Sequence, residues 1–299
     1  MAEARAVTAD PAPAGSGVEI VEGDNLAVMA DLPDGAFTLV YLDPPFNTGR
    51  TRERVSTTTT VAGDVQSGFR GRGYERVRTL LKIYDDTFDD YWGYLAPRLV
   101  EAWRLLADDG TLYLHLDYRE AHYAKVMLDA LVGRDRFLNE IIWAYDYGAK
   151  PRSRWPSKHD TILVYVKNPG AHVFDVDAIE REPYMAPGLV TPEKAARGKL
   201  PTDVWWHTIV PTGGRERTGY PTQKPEGILR RMIQASTRPG DVVLDPFAGS
   251  GTTGAVASAL GRRGVLIDAH PHAIDVMARR MPGAAVRRIA DGDDAAVTA

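Results

Sequence analysis

Val242-Val243-Leu244-Asp245-Pro246-Phe247-Ala248-Gly249-Ser250-Gly251-Thr252-Thr253-Gly254 is the stretch on which the fold turns. The apolar residues ahead of the carboxylate predict a buried strand, Val242–Leu244. The glycines predict a tight turn, and Thr252 opens a helix to Leu260. Glycines let backbone approach a ligand closely, and a helix N-terminus favours an anionic group. The next predicted strand, Gly264–Ile267, ends at Asp268, 23 residues after Asp245. An acid at that strand tip is placed to hold ribose hydroxyls. The stretch reads as a loop for a nucleotide-type cofactor, with Asp245, Phe247, Gly249, Ser250, Gly251, Thr252 and Asp268 as candidate binding residues.

Gly249–Gly254 also satisfies the G-x-G-x-x-G pattern of dinucleotide loops, a weak signal by itself. In those loops the first glycine follows its strand almost directly, so that pyrophosphate reaches the helix. Here Asp-Pro-Phe-Ala intervenes and sets a carboxylate and a ring beside the ligand. A carboxylate suits the ammonium of a methionine moiety and repels a pyrophosphate, which favours S-adenosylmethionine over NAD.

Far upstream, the predicted strand Phe37–Leu42 runs into Asp43-Pro44-Pro45-Phe46. This string suits chemistry on the amino group of a flat ring such as a nucleobase. An exocyclic amine is a poor nucleophile because its lone pair is delocalised into the ring. A carboxylate accepting one N–H, with the Pro44 carbonyl accepting the other, localises that pair. Prolines present acceptors without competing donors. Phe46 can stack on the base, a contact worth about 1–3 kcal/mol in nucleic-acid systems. A base inside a duplex has to be flipped out to reach such a pocket.

Around these strings, strands alternate with helices: strand Val18–Val21, helix Asn25–Leu32 capped by Asp24 or Asn25, helix Trp92–Leu106 ended by Asp109-Gly110, strand Thr111–Leu116, helix Glu120–Val132, strands Glu140–Trp143 and Thr161–Val166, helix Pro225–Ser236 and helix Ala273–Met281. The alternation predicts an α/β fold: a mostly parallel sheet with helices on both faces, Rossmann-like. Residues 18–289 form the catalytic domain. Ala- and Pro-rich residues 1–17 read as a disordered tail, 290–299 as a frayed one, 50–80 as a flexible loop, and 168–219 as a small irregular insertion.

The chain has 299 residues, 44% of them hydrophobic, enough for one sizeable core. It has no cysteine, which excludes disulfides, thiolate zinc sites and cysteine nucleophiles, and no metal site is expected. Without a signal peptide or a run of roughly 20 apolar residues, a cytoplasmic protein off the membrane is expected. The net charge of −4 does not advertise nucleic acid, but its distribution does. Arg50, Arg52, Arg54, Arg70, Arg72, Arg76, Arg78 and Lys82 face only Glu53, Asp64 and Glu75 over that stretch, and Lys150, Arg152, Arg154 and Lys158 follow around Trp155. Two basic runs flanking a base-handling string suit phosphate contacts.

Asp43–Phe46 ahead of Phe247–Gly251, with Tyr220-Pro221-Thr222-Gln223-Lys224-Pro225, Glu22–Asn25 and Asn139–Trp143, resembles the beta class of DNA amino-methyltransferases over most of Val18–Met281. That resemblance implies methyl transfer from S-adenosylmethionine to adenine N6 in double-stranded DNA, Asp at position 43 favouring adenine where Ser favours cytosine N4. It implies that Asp24 approaches the cofactor adenine, that Asp268 holds the ribose although the family more often has Glu there, and that Lys224 partners the cofactor carboxylate. Asp43 lies at both the catalytic and the cofactor site. Target recognition falls to 168–219, with Trp205, Trp206 and His207 as groove contacts or core; His115 and Asp117 read as structural. A restriction endonuclease partner and a homodimer fit the class. Cytosine-N4 methylation, a NAD-dependent oxidoreductase and a silent DNA-binding module remain as alternatives.

Overall fold

Short β-branched and apolar runs bounded by turn residues become strands of one sheet in the computed structural model, which describes residues 17–46, 89–148 and 151–288. The strands are β1 (Val18–Glu22), β2 (Phe37–Leu42), β3 (Leu106–Leu116), β4 (Phe137–Ala144), β5 (His159–Val166), β6 (Val204–Trp206), β7 (Val242–Asp245), β8 (Arg263–Asp268) and β9 (Ala285–Arg288). They hydrogen-bond in the order β6-β4-β5-β3-β2-β7-β8-β1-β9. Only β5 runs antiparallel to its neighbours, β3 and β4; the other pairings are parallel.

Alternation along β2 sorts the core into two faces, as the strand period of two requires. Val40 and Leu42 pack with α1 (Asn25–Ala30), α2 (Asp89–Leu105) and α3 (Ala121–Val132), through Met29, Leu95, Leu99 and Leu128. Leu39 and Tyr41 face α5 (Glu226–Ser236) and α6 (Thr252–Ala259), through Leu229, Met232 and Val256. Helix α7 (Pro271–Arg280) covers Val18, Ile20 and Leu266 with Ile274 and Met277. The expected mostly parallel sheet, covered on both faces, is what forms.

From β2 the chain moves to β3 on one side, and from β7 to β8 on the other, although β2 and β7 are neighbours. This is a topological switch point, where connections leaving two adjacent strands diverge and open a crevice at their carboxyl ends. The loops that begin at Asp43 and at Asp245 both leave from it.

Three expectations need correction. Asp109-Gly110 does not end helix α2, which stops at Leu105; both lie inside β3. Pairing with β2 jumps from Phe37↔Leu106 to Leu39↔Thr111, so the extra residues loop out as an irregularity. The carbonyls of Asp109 and Gly110 are satisfied by the amides of Val173 (2.9 Å) and Lys167 (3.0 Å). The 168–219 segment is not wholly irregular: it holds α4 (Pro192–Arg197) and β6, the latter forming one edge of the main sheet beside β4. Strand β9 has no counterpart in the expected elements. The basic run Arg50–Lys82 and the tails 1–16 and 289–299 lie outside the described residues.

Candidate active site

Asp43 follows the last residue of β2, and its carboxylate is four-fifths shielded from solvent. Its partner is Lys224, whose Nζ donates to Asp43 Oδ2 at 2.5 Å across 181 residues of sequence. The same ammonium lies 5.0 Å from the Phe46 ring centroid, a cation–π distance. Pro44 is buried and Pro45 exposed. Lys224 was expected to face the cofactor carboxylate; in the structure its ammonium holds the catalytic string.

The glycine loop is organised by its own acids. Asp245 is buried, accepting from the Phe247 amide (3.0 Å) and the Thr253 hydroxyl (2.6 Å). Burial pushes its carboxyl up to about 7, with the charges of Asp43 and Asp268 adding to the effect. Asp268 ends β8; its oxygens accept from the amides of Gly249 (2.8 Å) and His270 (2.9 Å), and burial raises its pKa as well. Gly251 donates to the Ala248 carbonyl at 2.7 Å. The amides of Gly249 and Gly251, which a pyrophosphate cradle would need, are thus already committed within the protein.

Gly251, at φ +70°, is the N-cap of α6, and a Cβ there would come within 2.7 Å of Met277 Cγ. Position 251 therefore requires glycine both for its left-handed backbone and for space. Ser250 and Thr252 share a hydroxyl contact of 3.1 Å, and Thr252 donates to the Lys224 carbonyl at 3.0 Å. That bond ties the Tyr220–Pro225 string to the loop, and Tyr220 stacks on His272 at 5.7 Å.

Asp24 caps α1 through the amides of Leu26 (3.0 Å) and Ala27 (3.1 Å), and pairs with Arg98 at 2.9 Å. Arg98 lies over the Tyr94 ring at 3.7 Å, and Tyr94 in turn neighbours Phe247 at 6.3 Å. Asn25 donates to the Pro246 carbonyl at 2.7 Å, joining the start of the chain to the glycine loop. The fold thus gathers Asp24, Asp43, Phe46, Lys224, Asp245, Phe247 and Asp268 around the carboxyl ends of β1, β2, β7 and β8.

Sequence reading missed Arg98 and a buried chain under Phe46. Tyr41 Oη and His115 Nδ1 are 2.8 Å apart, His115 Nε2 and Asp160 Oδ2 are 3.2 Å apart, and Tyr145 donates to Asp160 Oδ1 at 3.1 Å. The His115 ring lies 6.0 Å from that of Phe46. Burial alone would raise the Asp160 carboxyl, but the His115 ring, the Lys224 charge and the Tyr145 hydroxyl together hold it below the usual carboxylate range. His115 and Asp117 are both buried and partnered within the fold. Of the two tryptophans, Trp205 is core and Trp206 is 69% exposed. No cluster of three metal-ligating residues occurs among the described residues, and no helix there is long and apolar enough to cross a membrane.

The sheet has its crevice at a switch point, flanked by an Asp-Pro-Pro-Phe string and an acid-held glycine loop. The chain belongs to the N6/N4 DNA methylase family, whose model matches residues 37–279. It is 31% identical to the DNA adenine methyltransferase YhdJ of Escherichia coli (strain K12), over 88% of this chain and 82% of that protein. It is 30% identical to the type II methyltransferase M.HpaI of Haemophilus parainfluenzae, over 86% and 71%. Its fold matches the cytosine-N4-specific PvuII DNA methyltransferase with a TM-score of 0.58 at 15% identity, covering 91% of this chain and 97% of that one. It also matches the M1.HpyAVI–SAM complex with a TM-score of 0.56 at 20% identity, covering 88% and 98%.

Proposed function

We propose that the protein is a DNA adenine-N6 methyltransferase that uses S-adenosylmethionine. The observation that carries this reading is the Asp43 carboxylate at the end of β2, held by Lys224 beside the Phe46 ring and next to the glycine loop. The loop suits that cofactor. Asp43, Asp245 and Asp268 crowd together there and raise one another's affinity for positive charge, proton or ligand, which favours a ligand bearing ammonium and sulfonium charges over a pyrophosphate. Asp268 would hold the ribose, Phe247 and Asp24 the adenine side, and Gly249–Thr252 the backbone wall.

Bound S-adenosylmethionine supplies a methyl group on a sulfonium, an electrophile activated without a metal. The chain's own residues do the rest. Asp43 accepts one N–H of the flipped base's amino group and the Pro44 carbonyl the other, so the nitrogen lone pair points out of conjugation. Phe46 stacks on the ring, and Lys224 fixes the orientation of the carboxylate. Once methylated, the nitrogen is cationic and its proton passes readily to Asp43 or water. Positioning and electrostatics supply most of the acceleration.

The test is incubation of the purified protein with S-adenosylmethionine and unmethylated bacterial DNA, followed by nucleoside mass spectrometry. N6-methyladenine is the expected product. N4-methylcytosine would keep the site chemistry and overturn the base assignment; the absence of both products would overturn the reading.

A further inference from the structure

A second recess, a cleft of about 460 Å³, opens where β3 and β4 end and before β5 begins. Tyr118, Arg119, Tyr145, Tyr147, Arg154 and Lys158 line it. Its inner wall reaches the catalytic string through two side chains. Tyr145 donates to Asp160, Asp160 meets His115, and His115 lies beneath Phe46.

The cations of the cleft are held in place. Asp117 Oδ2 accepts from Arg119 Nε at 2.8 Å and also from its Nη2, while Asp117 Oδ1 accepts from the Arg119 amide at 3.0 Å. Arg154 donates to the Tyr118 hydroxyl at 3.2 Å, and Lys158 to the Tyr147 carbonyl at 2.8 Å. An arginine offers five N–H donors and a lysine three, so each keeps donors for a ligand. The lining itself holds three cations, Arg119, Arg154 and Lys158, and no acid; Asp117 pairs with Arg119, Asp160 stands behind Tyr145, and Asp146 lines the neighbouring recess. Tyr147 is 71% exposed at the rim of the cleft, so its ring face is open to a flat partner.

We propose that this cleft grips the DNA strand carrying the target base, taking the phosphodiester beside the extruded nucleotide on Arg154 and Lys158, with a flanking base on Tyr147. The assignment rests on the DNA amino-methyltransferase reading and narrows the phosphate contacts expected of the second basic run to Arg154 and Lys158 in this cleft. Phosphate contacts carry most of the salt dependence of DNA binding, about −0.9 in log K against log salt per phosphate neutralised.

The experiment measures binding of the full chain to a fluorescent random-sequence duplex at several salt concentrations. Wild type is compared with Arg154→Gln/Lys158→Gln and with Arg134→Ala/Arg238→Ala, two exposed arginines outside the cleft. The cleft variant should lose about 0.9 from the magnitude of the slope, the share of one phosphate. Its thermal midpoint and S-adenosylmethionine affinity should stay at wild-type values. An unchanged slope, an equal loss in the control variant, or a wild type that does not bind DNA would overturn the cleft assignment. DNA bound through the cleft without any methylated product would leave the cleft standing and sink the enzymatic reading instead.

Discussion

Lys224 and Asp43 show how far one contact can change a residue's assignment. A lysine just before a helix N-terminus opposes the macrodipole and calls for an anion nearby. That much was legible in the sequence, and the resemblance pointed to the cofactor carboxylate. The anion the structure supplies is Asp43, 2.5 Å away, with both side chains largely shielded. The expected outcome for Asp43→Ala is loss of methylation with cofactor affinity within a few-fold of wild type. For Lys224→Ala we expect kcat to fall at least tenfold, about 1.4 kcal/mol or more of transition-state stabilisation. Lys224→Arg should recover part of it. Steady-state kinetics with a separate cofactor titration checks both. A Lys224→Ala enzyme with normal kcat and weakened cofactor binding would return Lys224 to the cofactor. The His115–Asp160 pair was not legible as part of this neighbourhood, because Asp160 opens a strand with no local signal. Only the antiparallel pairing of β5 with β3, which sets Ile162 opposite His115, brings it there.

Among the elements, the turn at Tyr220–Pro225 has the most unusual backbone. Thr222 sits at φ +67°, the only non-glycine residue with positive φ among those described. For a β-branched residue that conformation costs of order 1–3 kcal/mol, and it persists only where surroundings impose it. Gln223 imposes it here: its side chain accepts from the Thr218 amide and hydroxyl, each at 2.8 Å, and donates to the Glu216 carbonyl at 2.7 Å. Thr222→Asn, which tolerates the left-handed region, should raise stability by about 1 kcal/mol, read as an upward shift in the urea midpoint; a lower midpoint would mean that the threonine hydroxyl outweighs the strain. Elements with strong local patterns were readable from sequence, including both loop-bearing strands. Strands β6 and β9 were not. Val-Trp-Trp and Ala-Val-Arg-Arg are too short to show alternation, and they are strands because β4 and β1 offer them open edges. Asp109-Gly110 misled for the opposite reason: a strong turn signal was absorbed as an irregularity inside a strand held on both sides.

Across the whole molecule, the site exists only because early and late segments of the chain meet at the carboxyl ends of the central strands, Asn25 bonding to Pro246 over 221 residues. The same convergence crowds acids. Asp245, enclosed by β2, β8 and α6, keeps its proton up to about pH 7, whereas in the unfolded chain it loses it near pH 4. Between those values the folded protein binds more protons than the unfolded one, so stability falls as pH rises through that window. Asp268, also raised by burial, contributes in the same direction. Both run against the more common carboxylate pattern, in which pairing depresses the pKa and stability is lost in acid. Asp245→Asn preserves an acceptor for the Phe247 amide and carries no titrating proton. Its unfolding free energy, measured by urea titration from pH 4.5 to 7.5, should therefore fall less steeply with rising pH than that of wild type. The residual slope should come largely from Asp268. If the variant and the wild type trace parallel curves, the Asp245 carboxyl is already ionised in the folded protein, and the acid cluster is balanced by charge instead of by a bound proton.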